Sequence, residues 1–146
     1  MLWKLWTAAV ALAIVPAAAQ TPLERGKYLV EGILTCGNCH TPRGPGGVLD
    51  TARRHAGGPQ VWESAEYRVH PSNITPDPQT GLRWNVTEIA EYLGTGDKPD
   101  GDVAGSLMSE VIHGTAAGYK DLTQADRLAI AQYLKSIPAI RNAIGK

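Results

Sequence analysis

Two thiols and an imidazole stand within five consecutive residues, Cys36-Gly37-Asn38-Cys39-His40, and these are the only cysteines in the 146-residue chain. The spacing C-x-x-C-H is the attachment signature of haem c. Both thiols can add to the vinyl groups on one edge of a porphyrin, forming thioethers. The adjacent histidine is then held under the ring as an axial ligand to the iron. Two other uses of the pair compete. A dithiol redox pair needs a strand-loop-helix setting, whereas the segment before Cys36 reads as helix. A zinc site needs a second pair of ligands in C-x-x-C or H-x-H form, and the sequence holds none.

A haem iron in an electron carrier is most often bound by His and Met. Of the two methionines, Met1 belongs to the N-terminal leader, which leaves Met108 as the second metal ligand beside His40. Met108 follows Gly101-Asp102-Val103-Ala104-Gly105-Ser106-Leu107, a Gly-rich approach that lets backbone come close to a porphyrin. The competing reading of a lone Met is core filler. A bis-histidine site stays open, with His113 ahead of His70, while His55 in Ala52-Arg53-Arg54-His55 reads as a solvated loop residue. The other ring nitrogen of His40 should donate to a backbone carbonyl, and the Pro-rich stretch after Thr41 is the expected supplier.

The elements that must position these groups are short. Lys4, the apolar run from Thr7 to Val15 and Ala17-Ala18-Ala19 read as an export signal over residues 1–19, cleaved before Gln20. That run falls short of the ~20 residues that span a bilayer. A single soluble domain over residues 20–146, outside the cytoplasm and in the periplasm, is the expectation. Fourteen basic and fourteen acidic residues give no reason to expect nucleic acid or an anionic membrane as partner. Thr21, Pro22 and Glu24 start a helix that runs to about Leu34. Residues 41–83 carry too many Gly and Pro for long elements, with Val61-Trp62-Glu63 and Tyr67-Arg68-Val69 as a candidate ribbon. A second helix opens at Asn85 with Glu88 as a capping box and runs to Leu93 before Gly94. A short helix spans about Ser109–His113. The last runs from Thr123, capped reciprocally with Asp126, to Ser136 before Pro138. A loop of this length is tolerable in a compact domain when it packs on a large apolar insert such as haem.

Helix, C-x-x-C-H, long loop, further helices, Met and a closing helix is the order of the class I cytochromes c, and the chain resembles that family over residues 20–146. The resemblance implies an all-α fold, three to five helices around one covalent haem c. It also implies crossing first and last helices, with Gly26 on one meeting Tyr133 on the other. Asn73-Ile74-Thr75-Pro76-Asp77, Thr80-Gly81-Leu82-Arg83-Trp84 and Ala131-Gln132-Tyr133-Leu134-Lys135-Ser136-Ile137-Pro138 are similar to haem domains of bacterial periplasmic dehydrogenase cytochrome subunits. By that resemblance Ile74, Thr75, Trp84 and Tyr92 line the haem pocket, with Thr75 or Trp84 bonding a propionate. For Trp84 and Tyr92 plain core packing is the equal alternative. One haem motif in place of three, and no C-terminal anchor, favour a small shuttle or detachable subunit.

The resulting expectation is a non-enzymatic electron carrier. It takes electrons from a periplasmic dehydrogenase and passes them to a downstream cytochrome or oxidase. A haem enzyme or a sensor of gas or small sulfur ligands, with a labile or bis-His sixth position, is the first alternative. A subunit whose haem only holds the fold together is the second.

Overall fold

The computed structural model describes residues 19–144; the export signal expected over residues 1–19 lies outside the described residues, Ala19 excepted. The first helix, α1, spans Pro22–Lys27. Thr21 caps it through a reciprocal box: its hydroxyl accepts from the Glu24 N–H at 3.2 Å, and the Glu24 carboxylate accepts from the Thr21 N–H at 2.8 Å. The helix then widens into a π-helical stretch, Tyr28–Ile33, closed by the Leu34 N–H on the Leu29 carbonyl at 2.8 Å. The wider turn displaces the helical stripe by one residue, a distortion common beside functional sites. Leu29 and Val30 are buried, and Cys36 begins the next helix, α2, Cys36–His40.

A two-stranded antiparallel ribbon, β1 (Trp62–Glu63) and β2 (Arg68–Val69), interrupts the long loop as expected. Helix α3, Val86–Thr95, carries the Asn85–Glu88 capping box, with bonds of 2.7 and 3.0 Å. It runs past Gly94, the expected stop, to Gly96 at φ 81°. Gly96 takes the left-handed conformation that ends helices, while Gly94 stays helical under Arg127, whose guanidinium lies 2.2 Å from where a Cβ would stand. Helix α4, Ser106–His113, is longer than expected at its N-terminus, and α5, Gln124–Ser136, closes the fold. The Thr123 hydroxyl caps α5 by accepting from the Asp126 N–H at 3.1 Å. The capping is not reciprocal, because the Asp126 carboxylate turns to Arg25 of α1 at 2.7 Å.

The core is Leu29, Val30, Ile89, Ala90, Leu93, Ile130, Ala131 and Leu134, drawn from the first helix, α3 and α5. Full burial of an aliphatic side chain such as Val30, Ile89 or Ile130 is worth about 1.5–3 kcal/mol. Gly26 is where α1 meets α5: a Cβ there would stand 2.0 Å from the Ala129 carbonyl oxygen and 2.8 Å from the Tyr133 Cβ. The described residues are thus mostly helical, with one short ribbon added to the expected helices. No helix among them is long and apolar enough to cross a membrane.

Candidate functional site

Helix α2 gathers both thiols and the imidazole on five residues. Thr35, which precedes it, sits in the left-handed region at φ 47°, a conformation a β-branched residue adopts only where the surroundings impose it. The orphan carbonyls at the end of so short a helix would be costly unpaired. Three of them are taken: Asn38 O by Arg43 at 2.9 Å, Cys39 O by Gln60 at 3.1 Å and His40 O by the Gly57 N–H at 2.7 Å. The long loop is therefore an ordered clamp around α2.

His40 Nδ1 lies 2.7 Å from the Ser72 carbonyl. A carbonyl only accepts, so this nitrogen carries the proton and Nε2 keeps a free lone pair, the form that binds a metal. Burial lowers the His40 pKa, with the Ser72 bond opposing it, and this favours the neutral ring. The supplier is Ser72 rather than the residues just after Thr41. Those turn away through the Arg43–Leu49 bridge, and the chain returns to the His40 ring only 32 residues on. Cys36 is half-buried and Cys39 exposed. Burial pushes the Cys36 thiol up to about 11, beside the Tyr119 hydroxyl.

Met108, on the first turn of α4, packs half-buried against the same core as Cys36, Leu34, Ile74, Leu82 and Trp84. Its helix starts from Ser106 at φ 53°, a second strained non-glycine residue next to a candidate ligand. Trp84 meets Tyr92 edge-on with ring centroids 4.9 Å apart, and burial raises the Tyr92 pKa. Thr75 is fully buried, and its hydroxyl bonds Asn73 Oδ1 at 2.7 Å and accepts from the Ile140 N–H at 3.1 Å. Of the two residues expected at a propionate, Thr75 thus spends its hydroxyl inside the protein. His70 is exposed with Nδ1 3.1 Å from Gln60 O, and His113 is exposed at the end of α4.

His55 corrects the sequence reading. It is buried, with φ 66°, and Nε2 lies 2.8 Å from Glu31. Glu31 also accepts from the Tyr133 hydroxyl at 2.9 Å and pairs with Arg54. Burial works to raise the Glu31 pKa, but the bonds from His55, Tyr133 and Arg54 outweigh it and hold the carboxyl below its ordinary value. A carboxylate that accepts from three donors, two on the loop and one on α5, lets His55 leave solvent. The group sits directly behind α2, with His55 Cε1 3.2 Å from where a Cβ on Gly37 would stand. A glutamate inside the apolar stripe of the first helix was the available signal for it.

The residues fit a haem bonded through Cys36 and Cys39. His40 offers Nε2, and a half-buried apolar set packs on the same core as Cys36. Among the described residues no group of three or more His, Cys, Asp or Glu side chains is placed to hold a bare metal ion. No family model matches the chain. Relatives do. Over 117 residues it is 48% identical to a diheme cytochrome c-type protein of Cereibacter sphaeroides, covering 80% of this chain and 36% of that protein. Over 144 residues it is 34% identical to the cytochrome c subunit of a quinone-dependent alcohol dehydrogenase of Gluconacetobacter polyoxogenes, covering 95% of this chain and 30% of that subunit. The chain is a homologue of c-type cytochromes. A third such cytochrome, the cytochrome c subunit of gluconate 2-dehydrogenase from Pantoea cypripedii, is 33% identical over 132 residues, covering 87% of this chain and 29% of that subunit. The chain spans about a third of the length of these c-type cytochrome relatives.

Proposed function

We propose that this chain is a periplasmic electron-transfer protein with one haem c, covalently held by Cys36 and Cys39 and ligated by His40 and Met108. Export by residues 1–19 and a working domain over residues 20–146 belong to the same reading. The observation that carries it is the imidazole of His40: Nδ1 is committed to the Ser72 carbonyl at 2.7 Å and Nε2 is free, on the same short helix as both cysteines. The sequence has a single C-x-x-C-H, which supports one haem per chain, although one relative is named diheme.

The bound haem supplies one-electron chemistry between ferrous and ferric iron. The chain's residues keep that exchange cheap. His40 cannot rotate away while Ser72 O holds its proton. Ile74, Leu82 and Trp84 offer an apolar wall that disfavours the added charge of the oxidised state. Met108, if it held the iron through its sulfur, would favour the reduced state in the same direction. Cys39 is exposed on α2, so a redox partner can approach the thioether edge through a small, transient interface. Several relatives are dehydrogenase cytochrome subunits, which supports a dehydrogenase as donor and a cytochrome or oxidase as acceptor.

The test mixes the oxidised protein with a reduced quinone-dependent alcohol dehydrogenase in single turnover, then with CO. Fast reduction with no CO adduct is the expected result. A CO adduct on the native reduced protein would point instead to an open-site enzyme or sensor.

A further inference from the structure

The Ser72 carbonyl that fixes His40 belongs to an exposed loop residue outside any helix or strand. Something else must hold it still. The next residue, Asn73, is buried and fully bonded: Oδ1 accepts from the Thr75 N–H at 2.9 Å and its hydroxyl at 2.7 Å, while Nδ2 donates to Ile140 O at 2.7 Å and Thr80 Oγ1 at 3.1 Å. Ile140 lies beyond α5, where the chain folds back over the loop. Its N–H donates to Thr75 Oγ1 at 3.1 Å, and the Asn142 N–H donates to Thr80 Oγ1 at 3.0 Å. Asn142 Nδ2 then reaches Ala56 O at 2.9 Å. Ala56 adjoins Gly57, whose N–H holds the main-chain carbonyl of His40. The tail thus fastens both segments that grip His40, one at its backbone and one at its ring.

We propose that the strap Ile140–Asn142 is a positioning element for the axial histidine. It holds Ser72 O against Nδ1–H and so sets how strongly Nε2 donates to iron. This rests on the haem reading above. A carbonyl held close to Nδ1–H makes the ring a better donor and favours the oxidised state, and a looser one does the reverse. Thr80 is the residue to change, because its hydroxyl accepts from both Asn73 and the strap and itself donates to Asp77 at 2.8 Å.

The experiment uses the full-length haem-loaded protein and follows the His40 Nδ1 proton by NMR, together with the midpoint potential. Thr80→Val should speed exchange of that proton roughly fivefold, the equivalent of one lost hydrogen bond, and raise the potential. Thr80→Ser, which keeps the hydroxyl, should restore both. Asp126→Asn loosens the Arg25 ion pair between α1 and α5 and shares no bond with the strap. It should lower thermal stability while leaving both readouts in place. If Thr80→Val destabilises the protein yet leaves exchange and potential at the wild-type values, the strap is only structural and the proposal fails. If the wild type itself shows no iron-shifted His40 resonance, the ligand reading fails and takes the proposal with it.

Discussion

Met108→Ala is expected to abolish the weak near-infrared sulfur-to-iron band of the oxidised protein and lower its midpoint potential by on the order of 100 mV or more, within the ~0.8 V that axial ligands span. It should also let the reduced form bind CO stoichiometrically. Removing a soft thioether ligand destabilises the reduced state relative to the oxidised one and frees a coordination position. The surroundings of the side chain support this proposed role. It is half-buried against the same core as Trp84, Ile74 and Leu82, on a helix whose first residue holds a left-handed φ of 53°. The histidine rivals are exposed, His70 beside Gln60 O and His113 at the C-terminus of α4. Accordingly, His113→Ala and His70→Ala should leave the band and the potential unchanged. Loss of the band in His113→Ala, with its survival in Met108→Ala, would reassign the ligand.

Gly26→Ala should destabilise the haem protein by about 3 kcal/mol in urea unfolding. Helix propensity alone argues the other way, since Ala in a helix interior is better than Gly by about 1 kcal/mol. Geometry decides the sign. The added Cβ would stand 2.0 Å from Ala129 O and 2.6 Å from its carbonyl carbon. Both are backbone atoms of α5 and cannot swing aside as a side-chain end would. Relief requires α1 and α5 to separate, which opens the core at Val30 and Ile130 and strains the Arg25–Asp126 pair. For a domain with a total stability of about 5–15 kcal/mol such a loss is large. An unchanged or raised urea midpoint would mean that the two helices do not meet at Gly26.

Local chemistry made much of this fold legible from the sequence. Thr21 with Glu24, and Asn85 with Glu88, are complete capping boxes written within four residues. Val61-Trp62-Glu63 and Tyr67-Arg68-Val69 are short strand-like runs that a ribbon satisfies, and C-x-x-C-H states its own geometry. Misreadings arose where a distant partner decides. His55 looks solvated between arginines and a glycine pair, yet Glu31, 24 residues earlier, takes it into the interior. The carbonyl for His40 comes from 32 residues downstream, and Asn73 and Thr75 bond to a tail 65 or more residues away. No periodicity encodes such closures. The end of α3 lies past the expected stop at Gly94 for a different reason: Gly96 also qualifies locally, and only the packing of Arg127 on Gly94 distinguishes them. The π-helical turn before Cys36 is likewise a one-residue offset that an apolar stripe does not reveal.

The most direct test of the central claim is the mass of the denatured full-length chain after expression with haem-maturation machinery. The account predicts a protein one haem heavier than the processed polypeptide, red after acid extraction, and stripped of that mass in the Cys36→Ala/Cys39→Ala double variant. A colourless wild-type chain at the bare polypeptide mass would contradict it.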